Sequence, residues 1–332
     1  MTDDIPVFTA HDIPDLINTL PTLFGFRPED SLVAIGTYGP RQRLGFRLRM
    51  DMPAPEHVGR AAGQVVTHLT NQRAEGAIII AVTHQTYVAA RLVTQIEQRL
   101  GGIQPVVGVW ADGKRFWTTF EGSDPAGLPY ETSEHHLAVV QAIAGGQEIL
   151  PNRAALAAKL DPVSGPRRVW LDHGAETVAE QITAALSTRP DAPVEEVAMT
   201  DLAPALEAAL ARRRLTDDQA LRLAVWATTI PARDALWALI TPNNARDMVA
   251  LWSHVVRCAP PRMSPASLSL TGFASWLSGD GALALIAAER ALAIDPDYTL
   301  AGLLLRLLEA GVPPSSWRPM GGKEQASAQF TP

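Results

Sequence analysis

The side chains best suited to chemistry lie in the first quarter of the chain. Arg27, Glu29, Asp30 and Ser31 form a polar turn ahead of an apolar run. A polar cluster at a strand mouth can hold a ligand, though Asp30 or Ser31 can equally cap backbone amides in that turn. Arg47 and Arg49 alternate on one face of the next strand. Two guanidinium groups so placed either clamp a carboxylate or phosphate or form a solvated sheet face. Thr83 and His84 follow the most apolar run. Ligands of open α/β sheets gather beyond the carboxyl ends of strands, and a histidine there can act as a base. The plainer reading is a Thr83 helix cap beside an exposed ring. Asp30, Ser31, Arg47 and His84 are thus the candidate ligand-binding residues. They meet only if the strand entered at Ser31 runs antiparallel to the one left at Thr83, or if a loop folds across the sheet edge. Asp30 and Arg47 could also form a purely structural pair.

Other constellations carry less. His135 and His136 are adjacent, so on a helix they diverge by about 100° and share a metal poorly. His173 and His254 stand alone, and the single cysteine, Cys258, makes neither an internal disulfide nor a cysteine-based zinc site. No metal site is expected. No Gly-x-Ser-x-Gly, Walker or dinucleotide-binding pattern occurs, and nothing commits to a cofactor or a reaction. Arg167-Arg168 and Arg212-Arg213-Arg214 lack interleaved aromatics and read as linker or helix-end charges. The eight tryptophans sit mostly on apolar helix stripes or in a hairpin, which suits a core better than a stacking surface.

The chain that must position these residues has 332 of them, with 47% hydrophobic and 19% charged. That is too long for one ordinary core and apolar enough to fill two. A net charge of −7 argues against nucleic-acid wrapping and suits a cytoplasmic location. The acidic start, MTDDIPVFTAHDIPD, has no signal-peptide pattern, and no apolar stretch approaches the roughly 18 residues of a membrane span.

Thr9 and Asp12 are spaced like a capping box before a helix carrying Ile13, Leu16, Ile17 and Leu20. A hairpin follows, from the apolar run 31–36 to the alternating run 44–50. A helix is expected over 55–74, a doubly covered strand over 76–82, a helix over 85–100 and a strand over 105–110. That strand turns at Asp112-Gly113 into 115–120. Segment 121–133 reads as a loop, and helices near 134–144 and 152–160 close this half. Segment 161–168 is the expected boundary, followed by a strand-like Val169-Trp170-Leu171, a helix at 175–187 and a linker at 188–198. Beyond residue 200 only the helical period remains. Thr216 and Gln219 form a capping box, and Met248, Leu251, Trp252, Val255 and Val256 form one stripe. Leu300, Leu303, Leu304, Leu307 and Leu308 form another, stopped by Gly311 and Pro313.

The expected fold is an α/β N-terminal domain with a mixed sheet in ββαβαββ order (1–165), then an all-α C-terminal domain (166–318) and a disordered tail (319–332). The helical domain is expected to end in a tetratricopeptide-like hairpin. Gly272, Ala284, Ala291 and Pro296 match that repeat's small residues and its proline. Leu268, Thr271, Ser275 and Ala288 depart from its larger ones. Trp276, Leu283, Ile286, Ala287 and Leu304 should share one core there.

Two segments together carry a family resemblance: Leu23-Phe24-Gly25-Phe26-Arg27-Pro28-Glu29-Asp30-Ser31-Leu32-Val33, and Trp276-Leu277-Ser278-Gly279-Asp280-Gly281-Ala282 running on through Glu289-Arg290-Ala291-Leu292 and Asp295-Pro296-Asp297-Tyr298. Both resemble the bacterial domain of unknown function 4192 family, found mainly in high-GC Gram-positive bacteria. The order matches from about residue 9 to about residue 317, and the hairpin Val109–Trp117 fits as well. The resemblance implies a cytoplasmic bacterial protein and brings no agreed activity with it. Relatives often carry clustered cysteines after that hairpin, where this chain has Glu121-Gly122-Ser123-Asp124-Pro125, so no metal or redox role transfers. The reading favours a non-enzymatic interaction or regulatory module that takes a protein or peptide partner through its helical domain. A small-molecule-binding protein or enzyme using the α/β domain is the alternative.

Overall fold

The computed structural model describes residues 12–133 and 135–318. Thr9 and the tail 319–332 lie outside them. The first helix, α1 (Ile13–Phe24), is capped by Asp12 itself, whose carboxylate accepts the Asp15 amide at 2.8 Å. Gly25, at φ 72°, ends it in the left-handed conformation that glycine adopts without strain.

Strands β1 (Ser31–Tyr38) and β2 (Arg43–Asp51) form the expected hairpin. A 3-10 turn leads into α2 (Val58–Asn71), followed by β3 (Gly76–Val82), α3 (Thr86–Glu97), β4 (Gln104–Ala111) and β5 (Arg115–Thr118). A further short strand, β6 (Leu128–Pro129), pairs with β5 inside the segment read as loop. Two residues are too few to show a period, so sequence pattern misses it. Helices α4 (Leu137–Ala144) and α5 (Arg153–Ala158) follow. The six strands make one mixed sheet, ordered β2-β1-β3-β4-β5-β6. Only β3 and β4 are parallel, joined by the crossover helix α3; β1 runs antiparallel to β3. On one face, Leu32, Ala34, Ile79 and Ala81 pack with α2 and α3. On the other, Val33, Ile35, Ile78, Ile80 and Val109 pack with Leu16, Ile17 and Leu20 of α1. Two covered faces explain why β3 is apolar throughout and β1 is apolar over residues 32–36.

The chain divides into two compact units, Met1–Leu156 and Ala157–Pro332. Among described residues the second is helical: α6 (Pro166–Thr188), α7 (Val194–Leu210), α8 (Asp217–Trp226), α9 (Ile230–Ala238), α10 (Ala245–Cys258), α11 (Ser264–Leu277), α12 (Gly281–Ile294) and α13 (Thr299–Glu309). The expected strand at Val169–Leu171 is instead part of α6. Leu171, Ala175, Val178 and Ile182 are buried at helical spacing, and Pro166 starts the helix in its first turn. The expected linker runs into α7, where Glu195 and Glu196 suit the positive end of the helix. The Thr216–Gln219 capping box is present at α8.

Every residue of α11 is buried. The hydroxyls of Ser264, Ser267, Ser269 and Thr271 donate to carbonyls three or four residues back, as Thr271 does to Ser267 at 2.8 Å, whereas the Ser275 hydroxyl is buried without a partner among the described residues. Trp276, Ala284, Ala288 and Leu304 join the main cluster of this unit, whereas Leu283, Ile286 and Ala287 are buried outside that cluster.

Candidate functional site

The antiparallel pairing of β1 with β3 sets Ser31 opposite Val82, so the entry to β1 and the exit of β3 share one sheet end. There the Thr83 hydroxyl donates to Asp30 Oδ1 at 2.6 Å. Thr83 Oγ1 in turn accepts the Gln85 amide at 3.1 Å, just before α3. Asp30 lies at φ 40°, a left-handed conformation that Asp tolerates better than most residues.

Ser31 is fully buried and donates to the Glu29 carbonyl. It accepts from Arg49 Nε at 2.9 Å. Arg49 also pairs with Asp51 and lies over the buried Phe26 ring, 5.8 Å from its centroid. The hairpin register explains its choice over Arg47. Ser31 faces Asp51 and Ile35 faces Arg47, so Arg47 sits four residues, roughly 13 Å, along the strand from Ser31. Arg47 is exposed and donates to the Leu23 carbonyl at 3.1 Å. Partial desolvation lowers its pKa, yet a guanidinium stays charged. The Asp30–Arg47 structural pair does not form; Thr83 holds Asp30 instead.

His84 is exposed at the carboxyl end of β3, beside the carboxyl end of β4. Asp112, which follows β4, has its pKa lowered. Burial opposes that shift, while the Arg115 and Lys114 amides, then His84, favour the carboxylate. Tyr130 stands nearby, its phenol pushed up by burial and by Asp112, against the pull of Thr132, Gly113 and Arg27. The structure thus gathers Asp30, Ser31 and His84 at one sheet end and leaves Arg47 away from it. Sequence reasoning missed Asp112 and Tyr130 as members. Asp112 was legible as a turn residue, but its neighbour across the β3–β4 pair was not.

The helical unit offers a different surface. A hollow of about 350 Å³ lies on α6 and α8, lined by Trp170, His173, Gly174, Thr177, Asp218 and Leu221 among others. Trp170 is 57% exposed. His173 Nδ1 lies 2.8 Å from the Val169 carbonyl, which can only accept, so that nitrogen carries the proton. A Cβ on Gly174 would come within 2.9 Å of Leu221 Cδ1, so the bare glycine lets α8 close the floor.

Comparison with known proteins adds one finding. The profile of the family described as Domain of unknown function (DUF4192) matches residues 14–315. The chain belongs to this family. No curated protein and no solved structure matches it. Both surfaces described above lie within the DUF4192 match. Among described residues, no helix is long and apolar enough to cross a membrane, and no group of three or more His, Cys, Asp or Glu could hold a metal ion.

Proposed function

We propose that this DUF4192 chain is a non-enzymatic, cytoplasmic interaction module, and that its helical unit docks a segment of a protein or peptide partner. The observation that carries the reading is the α6–α8 hollow with Trp170 standing at its rim. Exposed tryptophans beside a concave apolar floor are favoured anchors in recognition surfaces. The occupant that fits is a peptide with one apolar side chain for the floor of Leu221 and Val178 and a neighbouring hydrogen-bond donor. Asp218, whose Oδ2 pairs with Arg222 at 2.9 Å and whose side chain is 59% exposed, and His173 Nε2 supply the acceptors.

The tetratricopeptide-like reading of α11 and α12 supports the same class of function. A Cβ on Gly272 would lie 3.1 Å from the Ala284 carbonyl, and Ala291 is fully buried, as the small positions of that repeat require. The test is selection from a random displayed-peptide library on the full chain and on Trp170→Ala. Peptides enriched on the native chain should bind the variant at least tenfold more weakly. Enrichment of nothing, or equal binding to both, would overturn the reading.

The alternative, a small-molecule site in the α/β unit, is favoured by the gathering of His84, Asp112 and Tyr130 at the carboxyl ends of parallel strands. A thermal-shift screen of small anions and metabolites should then lose its hits in His84→Ala with the unliganded melting temperature unchanged.

A further inference from the structure

The last described segment, Val312-Pro313-Pro314-Ser315-Ser316-Trp317-Arg318, folds back onto the helical unit after α13. Its anchor is Trp317. The Trp317 ring meets Phe273 edge-on at 5.0 Å between centroids and lies 6.1 Å from Trp237. Phe273 in turn meets Trp237 at 5.3 Å and Trp276 at 5.7 Å. Trp237 comes from α9, Phe273 and Trp276 from α11, so two helices build an aromatic nest and the strap fills it.

Two features separate this contact from ordinary core packing. The first is how the strap is held. Val312 is bonded to the body: its amide reaches the Leu307 carbonyl, and its own carbonyl accepts from Trp276 Nε1 at 2.9 Å. Beyond it, among the described residues, the hydrogen bonds of 313–318 all close within the segment. Ser316 and Trp317 donate to the carbonyls of Pro313 and Pro314, and Arg318 donates to those of Ser315 and Trp317. Only side-chain packing binds this stretch to the nest. The second is a polar deficit. The indole N–H groups of both Trp237 and Trp317 are buried with no acceptor among the described residues. With the strap closed, the Trp237 donor of the nest itself is desolvated and unpaired, and the main-chain carbonyl of an incoming segment would satisfy it.

Pro313 has φ −73° and ψ 143°, the polyproline II conformation. Proline-rich segments with this backbone dock in aromatic-lined grooves because little chain entropy is lost on binding. We infer that the Trp237–Phe273–Trp276 nest is a docking groove for a linear proline- and tryptophan-bearing segment, and that residues 312–318 are its resident, exchangeable occupant. The strap occludes the groove in cis; a segment of the same chemistry enters in trans when the strap leaves. The inference concerns α9 and α11 rather than the α6–α8 hollow, and it stands even if that hollow binds nothing.

The probe is a synthetic peptide of residues 312–318 with blocked ends, titrated against the full chain. Native protein should bind it weakly, because its own strap competes. The Trp317→Ala full chain, shown folded by its helical circular dichroism, should bind it at least tenfold more tightly. A peptide carrying alanine in place of tryptophan should lose that gain. If Trp317→Ala does not fold, the double variant Pro313→Gly/Pro314→Gly takes its place: it leaves the nest and Trp317 intact, loosens the strap, and should also raise affinity over native. A folded variant that binds the two peptides equally, or no better than the native chain does, overturns the inference.

Discussion

Asp30 shows how one side chain serves two local needs. It occupies a left-handed backbone position and accepts the hydroxyl of the buried Thr83. Asparagine keeps an acceptor and tolerates the conformation, whereas alanine does neither. Asp30→Ala should therefore cost about 1–3 kcal/mol in urea denaturation and Asp30→Asn less than about 1 kcal/mol. Equal losses would show that the Thr83 bond contributes nothing. Glu97 makes a second residue-scale case. Its carboxylate lies over bare Gly108, where a Cβ would come within 2.1 Å of Oε1, and accepts from Thr119 at 2.9 Å. Burial raises its pKa, with the Thr119 bond opposing. The folded value lies above the unfolded one, so the native state holds this proton more tightly. The stability that follows is fully present below the unfolded value and is lost as pH rises through the folded value. Glu97→Gln keeps the acceptor and removes the titration. Its urea midpoint should match the native chain in acid and exceed it above the raised value; a constant difference across that range would exclude the linkage.

At the scale of elements, the contact of α11 with α12 and α13 depends on small residues. A Cβ on Gly272 would lie 2.5 Å from Leu304 Cδ2 as well as close to the Ala284 carbonyl. Ala291 is fully buried. Gly272→Val and Ala291→Trp should each destabilise by about 1–3 kcal/mol through overpacking. Gly302, inside α13, is the contrast: its added Cβ meets only Arg306 Nη1, at 3.8 Å. Gly302→Ala should raise stability by up to about 1 kcal/mol through helix propensity. Melting curves of the three variants check the assignment, and an unchanged Ala291→Trp would refute it.

At the scale of the whole molecule, each unit owns a core. The two faces of the sheet carry clusters drawn from the first unit, and one cluster running from Leu171 to Leu304 fills the second. A fragment of residues 157–318 should therefore fold alone, with helical circular dichroism and a cooperative melt. A fragment that melts without a transition would show that its helices need the α/β unit.

The amino-acid pattern alone determined the division into a sheet-bearing first half and a helical second half, because periods of 2 and 3.6 are local properties. It also determined the Thr216 capping box and the doubly covered β3, for the same reason. It misread Val169–Leu171 as strand because three apolar residues have no period of their own, and only the burial of Leu171, Ala175 and Val178 on one face settles the helix. The site depended on what lies across strands. Asp30 and Thr83 are 53 residues apart, and the antiparallel register of β1 on β3 brings them within a hydrogen bond. Register likewise gave Ser31 to Arg49 rather than Arg47, a difference of two residues that composition does not encode. Partner choice between distant polar groups is decided by strand pairing and helix packing, which sum many weak contacts along the whole chain. That is why only the tertiary structure could decide it.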